Sequence, residues 1–287
     1  MNWIDESKKT AFSWFVEIKG KTALITGAGM GIGALVCEDF AKLGIKKIIG
    51  VDVDTKALKE MKLKIESYGV EFESYPCDLS SVSQIEALFS RIQKKKVSFE
   101  ILINNAGIAP SGSFVDGEFQ KWEKAIQINV TGLIKVTHLA LPILSQAENA
   151  HIVNLASIAG KYGSEGTAVY SATKHAVVGF SHALRMEYYE KNIGVSWVCP
   201  TMAKTRMIEG VKPSIFTPVI PPLSVALAIR KAIQKNQAEV MVPSYLRLSI
   251  VVLPTLFPRF FFWLAVKLKV SKGWLDANKG LEKNIPV

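Results

Sequence analysis

Thr26-Gly27-Ala28-Gly29-Met30-Gly31-Ile32-Gly33 closes a short β-rich run, Thr22–Thr26, and leads at once into helical spacing of apolar residues over 32–43. Glycines at such a junction permit a tight turn and let the backbone approach a pyrophosphate. The helix behind the turn offers free N–H groups and the positive end of its dipole to that anion. Glycine clusters also serve tight turns for steric reasons alone; it is the position between strand and helix that points to a dinucleotide cradle. Asp52 ends the next β-rich run, about twenty residues further on, where a carboxylate accepts hydrogen bonds from both ribose hydroxyls. A carboxylate there repels a 2′-phosphate, and Met30 stands in the turn where a basic residue would have served that phosphate. NAD is therefore favoured over NADP, although Lys46 and Lys47 lie close by in sequence.

Working outward from this turn, further β-rich runs fall at 47–51, 71–75, 101–103, 151–155 and 194–198, with helical patterns at 56–68 and 83–94 among the segments between them. Near-continuous Val, Ile and Leu in the short runs suits a parallel sheet covered on both faces. Strand–helix alternation of this kind predicts an α/β, doubly wound Rossmann-type fold in one domain. We delimit an N-terminal extension at 1–18, a catalytic domain at 19–243 and an apolar, basic C-terminal extension at 244–287. Residues 202–223, rich in Pro, Thr and Ser, read as a loop or lid beside the ligand.

Composition narrows the function classes. The net charge of +10 raises nucleic acid or an anionic membrane as partners. No Cys/His finger, RNP-type motif or recognition helix is present, so no nucleic-acid partner is expected. Cys37, Cys77 and Cys199 are odd in number and widely spaced, which suits a reducing compartment and gives no disulfide framework. His138, His151, His175 and His182 lack metal-ligand spacing, and no metal is expected. The first 17 residues contain Asp5 and Glu6 and no apolar core before a cleavage site, so they do not read as a secretory signal. Trp3, Phe12, Trp14, Phe15 and Ile18 suggest instead a short helix that packs on the body or touches lipid, packing being preferred, and the expected location is cytoplasmic or peripheral on a membrane surface.

Ser157 follows the run at 151–155, and Tyr170-Ser171-Ala172-Thr173-Lys174 begins thirteen residues later. On a helix Tyr170 and Lys174 face the same side. A free tyrosine titrates near pH 10, too high for an efficient acid/base at neutral pH. A neighbouring ammonium would stabilise the phenolate and lower that value, while the serine hydroxyl holds a substrate oxygen.

With these residues together the chain closely resembles the short-chain dehydrogenase/reductase family from about Lys19 to Met207, in the family's motif order and spacing. Thr26-Gly27 and Gly31-Ile32-Gly33 are similar to its glycine pattern, and Asp78-Leu79 resembles its adenine-contacting pair. Asn104-Asn105-Ala106-Gly107 resembles the motif that supports the sheet and lines the cofactor pocket. Asn129 matches the catalytic asparagine that holds a water of the proton relay, and Ser157, Tyr170 and Lys174 match the remaining catalytic residues. Pro200 and Thr205 match the cofactor-binding segment after the sixth strand, Thr205 being the hydroxyl for the nicotinamide carboxamide. Thr201 stands where that family commonly has glycine. The resemblance implies an NAD(P)-dependent oxidoreductase acting on CH–OH groups: a secondary alcohol and a ketone, or a primary alcohol and an aldehyde. It also implies a dimer or tetramer. A non-catalytic dinucleotide sensor or membrane scaffold is the alternative, and the full set of four catalytic residues argues against it.

The stretch 245–270 is strongly apolar, but Arg247, Arg259, Pro254 and Pro258 interrupt it as a membrane span. Basic residues flanking apolar clusters suit a helix lying in an anionic membrane interface, which gives a peripheral membrane contact through 245–270. The same composition would also serve a subunit interface or a cap over the substrate pocket. By its likeness to the tails of retinol, 17β-hydroxysteroid and long-chain alcohol dehydrogenases, it points to a lipophilic alcohol or ketone as substrate.

Overall fold

The computed structural model describes residues 16–208, 211, 217–268 and 274. Nine strands are present among them: β1 Thr22–Thr26, β2 Lys47–Asp52, β3 Glu71–Pro76, β4 Ile101–Asn104, β5 Ala150–Leu155, β6 Ile193–Pro200, β7 Met202–Ala203, β8 Val219–Ile220 and β9 Glu239–Val242. Seven of them form one wholly parallel sheet in the order β3-β2-β1-β4-β5-β6-β9, and β7 pairs with β8 beside it. The helices are α1 Gly31–Lys42, α2 Thr55–Glu66, α3 Val82–Lys94, α4 Phe119–Ile126, α5 Leu133–Leu144, α6 Ala168–Tyr188, α7 Pro222–Gln234, α8 Leu253–Leu256 and α9 Pro258–Lys267.

Side chains of successive strand residues go to opposite faces, and each face has its own layer. Ile25, Ile48, Ile101 and Val153 pack with Val36, Phe40, Leu58, Val225 and Ile229, which closes α1, α2 and α7 onto one face. Their chain neighbours Leu24, Ile49, Leu102 and Ile152 pack with Ile85, Phe89, Val136 and Leu184 of α3, α5 and α6 on the other. Burying both faces is what makes the central strands read as continuous apolar runs. Val16 and Ile18, within the expected N-terminal extension, are buried in the first layer.

The expected runs agree with the observed elements to within two residues. Three features add to the sequence reading. Edge strand β9 was not read from the sequence, since only Val240-Met241-Val242 marks it before Pro243. Residues 202–223 contain the β7–β8 pair and a 3-10 turn at Arg206–Ile208, with 209–210 and 212–216 outside the described residues. The 245–270 stretch is broken: a helical segment from Leu246 through α8 stops at Phe257, and α9 starts at Pro258. Proline at a first helical position suits a new start rather than continuation. The N-terminal helix expected from Trp3, Phe12, Trp14 and Phe15 lies outside the described residues.

Helices α4 and α5 are one continuous 26-residue rod, Phe119–Leu144, joined by a π-helical segment at Gln127–Gly132. By length and apolarity alone this rod could cross a membrane. Its contacts make it a helix of the fold: buried Thr137 accepts a hydrogen bond from Asn104 Nδ2 of β4 at 2.9 Å.

Candidate active site

The order of strands reverses between β1 and β4, which run outward to β3 on one side and to β9 on the other. Ligands of open α/β sheets bind at the carboxyl ends of the strands beside such a switch point. The glycine turn leaves β1 there, and Asn105 leaves β4 beside it. Asn105 Nδ2 donates to the carbonyls of Thr26 and Gly27 at 2.9 and 3.1 Å, and the Asn105 and Ala106 N–H groups donate to Thr26 Oγ1 at 3.0 and 3.1 Å. The turn is thereby fixed to its neighbouring strand.

Gly31 has φ +59°, a left-handed conformation that glycine adopts without strain. At Gly33 a Cβ would lie 2.0 Å from the Gly27 carbonyl oxygen, so the turn closes only around glycine. Helix α2 is capped by Asp54 Oδ1, which accepts from Lys56 and Ala57, but α1 begins at Met30 with no side-chain cap. Its first N–H groups, Gly31, Ile32 and Gly33, therefore present an anion site of the kind a pyrophosphate fills. Asp52 Oδ2 accepts from Gly29 N–H at 2.8 Å and Oδ1 from Asp54 N–H at 3.0 Å, leaving each oxygen a further lone pair for a ribose hydroxyl. Asp78 Oδ1 accepts from the Ser80 N–H and hydroxyl, and the Leu79 carbonyl lies against Gly132. Thr205 stands over the turn, its Cγ2 about 3.6 Å from where a Cβ on Gly31 would be. Pro200 ends β6 opposite Val242. The chemistry of this donor and acceptor set fits a dinucleotide.

The four catalytic candidates come together at the same sheet edge. Ser157 leaves β5 and caps a 3-10 turn at Ile158–Gly160, its hydroxyl accepting from Ala159 N–H at 3.1 Å. Tyr170 lies in the first turn of α6 and Lys174 one turn on, both buried. The Ser157 hydroxyl lies beside the Tyr170 phenol and favours its ionised form. Lys174 Nζ donates to the Leu155 carbonyl at 2.7 Å and lies 5.8 Å from the Tyr170 ring centroid. Asn129 sits in the π segment, 1% exposed; such bulges are frequent at functional sites. Its Oδ1 accepts from Ile108 N–H at 2.9 Å, and its Nδ2 donates to the Ile108 carbonyl at 2.8 Å and to Thr173 Oγ1 at 3.1 Å. Thr173 in turn donates to the Tyr170 carbonyl at 2.7 Å. Gly107 closes the group: a Cβ there would be 3.0 Å from Asn129 Oδ1 and 3.6 Å from Lys174 Nζ.

A family model described as short chain dehydrogenase matches residues 21–214, over which all these residues lie. The chain belongs to that family. This short chain dehydrogenase is 30% identical to the ketoacyl reductase HetN of Nostoc over 87% of its own length and 91% of that protein. It is 32% identical to the mouse epidermal retinol dehydrogenase 2 over 80% of its length and 76% of that protein. A solved short-chain dehydrogenase from Sphingobium yanoikuyae in complex with NADPH superposes with TM-score 0.72 at 27% identity, covering 93% of this chain and 96% of that one. The fold and the oxidoreductase class follow from these likenesses.

Electrostatics in this short chain dehydrogenase differ from the sequence expectation at one point. Tyr170 is pushed up to about 12, chiefly by burial, with the Ser157 hydroxyl opposing the rise. Lys174 beside it is itself depressed to about 8 by desolvation. Thr173, Ile108 and Leu155 are positioning groups that sequence reasoning missed. Two of them act through backbone atoms and leave no side-chain signature.

The Lys174 shift has a consequence for stability. In the unfolded chain lysine keeps its proton to about pH 10.4, whereas folded Lys174 gives it up near 8. Below pH 8 the buried charge destabilises the fold; between pH 8 and about 10 the unfolded state binds the extra proton and stability rises. Wild-type protein should therefore gain about 2 kcal/mol relative to Lys174→Met between pH 7 and 9.5. Urea unfolding of both proteins at the two pH values measures the difference, and a flat difference would contradict the depressed lysine.

Proposed function

We propose that this enzyme exchanges hydride between NAD and a secondary alcohol or ketone, or a primary alcohol or aldehyde, on a lipophilic molecule. The observation that carries the reading is the meeting of Ser157, Tyr170, Lys174 and Asn129 at the switch point beside an uncapped glycine turn. The nicotinamide cofactor supplies the hydride chemistry when bound. The residues of the chain do the rest. Gly27, Gly31, Ile32 and Gly33 would hold the pyrophosphate, and Asp52 the ribose next to adenine. Asp78 and Leu79 would flank the adenine, Asn105, Ala106 and Gly107 would line the pocket, and Pro200 and Thr205 would hold the carboxamide end. Tyr170 passes the proton at the substrate oxygen while Ser157 orients that oxygen through its hydroxyl. Lys174 would fix the cofactor ribose, and Asn129 holds Thr173, and with it the backbone under Tyr170.

An oily substrate is supported by the segments leaving β4, β5 and β6, which carry Ile108, Ala109, Ile158, Tyr162, Met202 and Met207. Following NADH formation from steroid, retinoid and long-chain fatty alcohols, beside short polar alcohols and hydroxyacyl thioesters, tests this. Turnover confined to the thioesters or the polar alcohols would replace the substrate class.

Asp52 supports NAD as the preferred nucleotide, since its carboxylate stands at the glycine turn where a 2′-phosphate would meet it. Asp52→Ala should shift the ratio of kcat/KM for NADP over NAD at least about tenfold toward NADP, the value of roughly 1.4 kcal/mol of removed repulsion. An unchanged ratio would move the selection elsewhere.

A further inference from the structure

We infer that the C-terminal arm, α8 and α9, is an in-plane anchor for an anionic lipid bilayer. A helix on a water-facing surface normally turns a polar face outward. Here Leu256, Phe257, Phe260, Phe262, Trp263 and Val266 are each more than half exposed. The charges among these residues are all of one sign. Between Glu239 and Asp276 the sequence has no acidic residue but contains Arg247, which pairs with Glu239, and Arg259, Lys267, Lys269 and Lys272. Arg259 and Lys267 are exposed on α9 itself, and Lys267 Nζ lies 4.7 Å from the centre of the Trp263 ring. Tryptophan and phenylalanine beside basic side chains form the composition that settles at a headgroup–acyl boundary, while a protein interface depletes lysine. Charge complementarity thus selects an anionic membrane over a second copy of this basic chain.

The arm is held to the body at few points, each close to the catalytic loop. Leu246 and Ile250 are buried with Ala156 and Ile158, the residues on either side of Ser157. Phe261 is the buried residue of α9, and its ring meets Tyr162 edge to face at 5.1 Å between centroids. A bilayer that takes up the outer face of the arm would leave these inner contacts intact and set the Ser157 loop at its surface. Binding to lipid is independent of the catalytic reading, so the two can fail separately.

The test uses the purified full chain without substrate, co-sedimented with vesicles of phosphatidylcholine alone or mixed with phosphatidylserine. Binding to the mixed vesicles, weakened by added salt, is expected. Arg259→Gln with Lys267→Gln should weaken it by about twentyfold, from roughly fivefold for each basic residue at an anionic surface. Phe260→Ser with Trp263→Ser should abolish it while NADH binding is kept, which shows that the variant folds. Failure to bind either vesicle overturns the anchor. So does equal binding to both, or a Phe260/Trp263 variant that only converts a dimer to monomers in sedimentation, which would assign the face to a second copy.

Discussion

Tyr170→Phe is expected to lose about two to four orders of magnitude in turnover and to bind NADH with unchanged affinity. The phenol is the group at this sheet edge placed to move a proton at a substrate oxygen, and a positioned acid/base contributes roughly 10²–10⁴ in rate. With its pKa pushed up to about 12, the phenol stays protonated in the protein without ligands, so it serves first as a donor to the substrate oxygen. The ring of phenylalanine fills the same space, and the Thr173 hydroxyl bonds the Tyr170 backbone carbonyl, which the change leaves in place. Single-turnover kinetics and NADH fluorescence titration separate the two effects. Turnover within tenfold of wild type would remove Tyr170 from the chemistry.

Gly33→Ala carries the second large effect, through structure. The added methyl would sit 2.0 Å from the Gly27 oxygen and 2.6 Å from Asn105 Nδ2. Neither atom can retreat cheaply, since the Asn105 amide also holds the Thr26 and Gly27 carbonyls. The turn must open, and overpacking of a closed backbone contact costs about 3 kcal/mol. Dinucleotide affinity should fall at least about a hundredfold, because the N–H groups of α1 lose their common aim. Calorimetric NADH binding together with thermal unfolding checks both. Wild-type affinity in a protein of unaltered stability would show that the turn can open without cost and would overturn this reading.

The parts of this protein that could be read from the chain are those whose chemistry is local. The glycine turn, Asp52 and the Tyr170–Lys174 pair announce themselves because strand, turn and helix spacing brings them into position over a few residues. The α/β alternation was legible for the same reason: β1, β2 and their helices each bury a face of their own. What escaped depends on distant segments. Strand β9 has only a short apolar run and becomes a strand by pairing Val240 with Val198 and Met241 with Cys199. The ionisation of Tyr170 follows from burial that several distant segments of chain provide. The part played by Thr173 depends on Asn129, 44 residues away in the chain, which donates to its hydroxyl. The tail read as apolar, basic and interrupted by its prolines, yet the seat of Phe261 on Tyr162 is a product of packing.

The π segment at Gln127–Gly132 gives the rod that contains it a fixed count of residues. A helix advances about 100° per residue, so one residue more or fewer in this segment would swing Asn129 a quarter-turn or more away from Ile108 and Thr173. Removing that residue would also leave a more regular, better-bonded helix. A sturdier rod and a correctly aimed Asn129 are thus competing demands on the same six residues. A substitution on the outer face of α4 or α5 leaves that angle alone, while a change of length resets it. The segment works as a dial set to one position, and the setting is recorded as a number of residues.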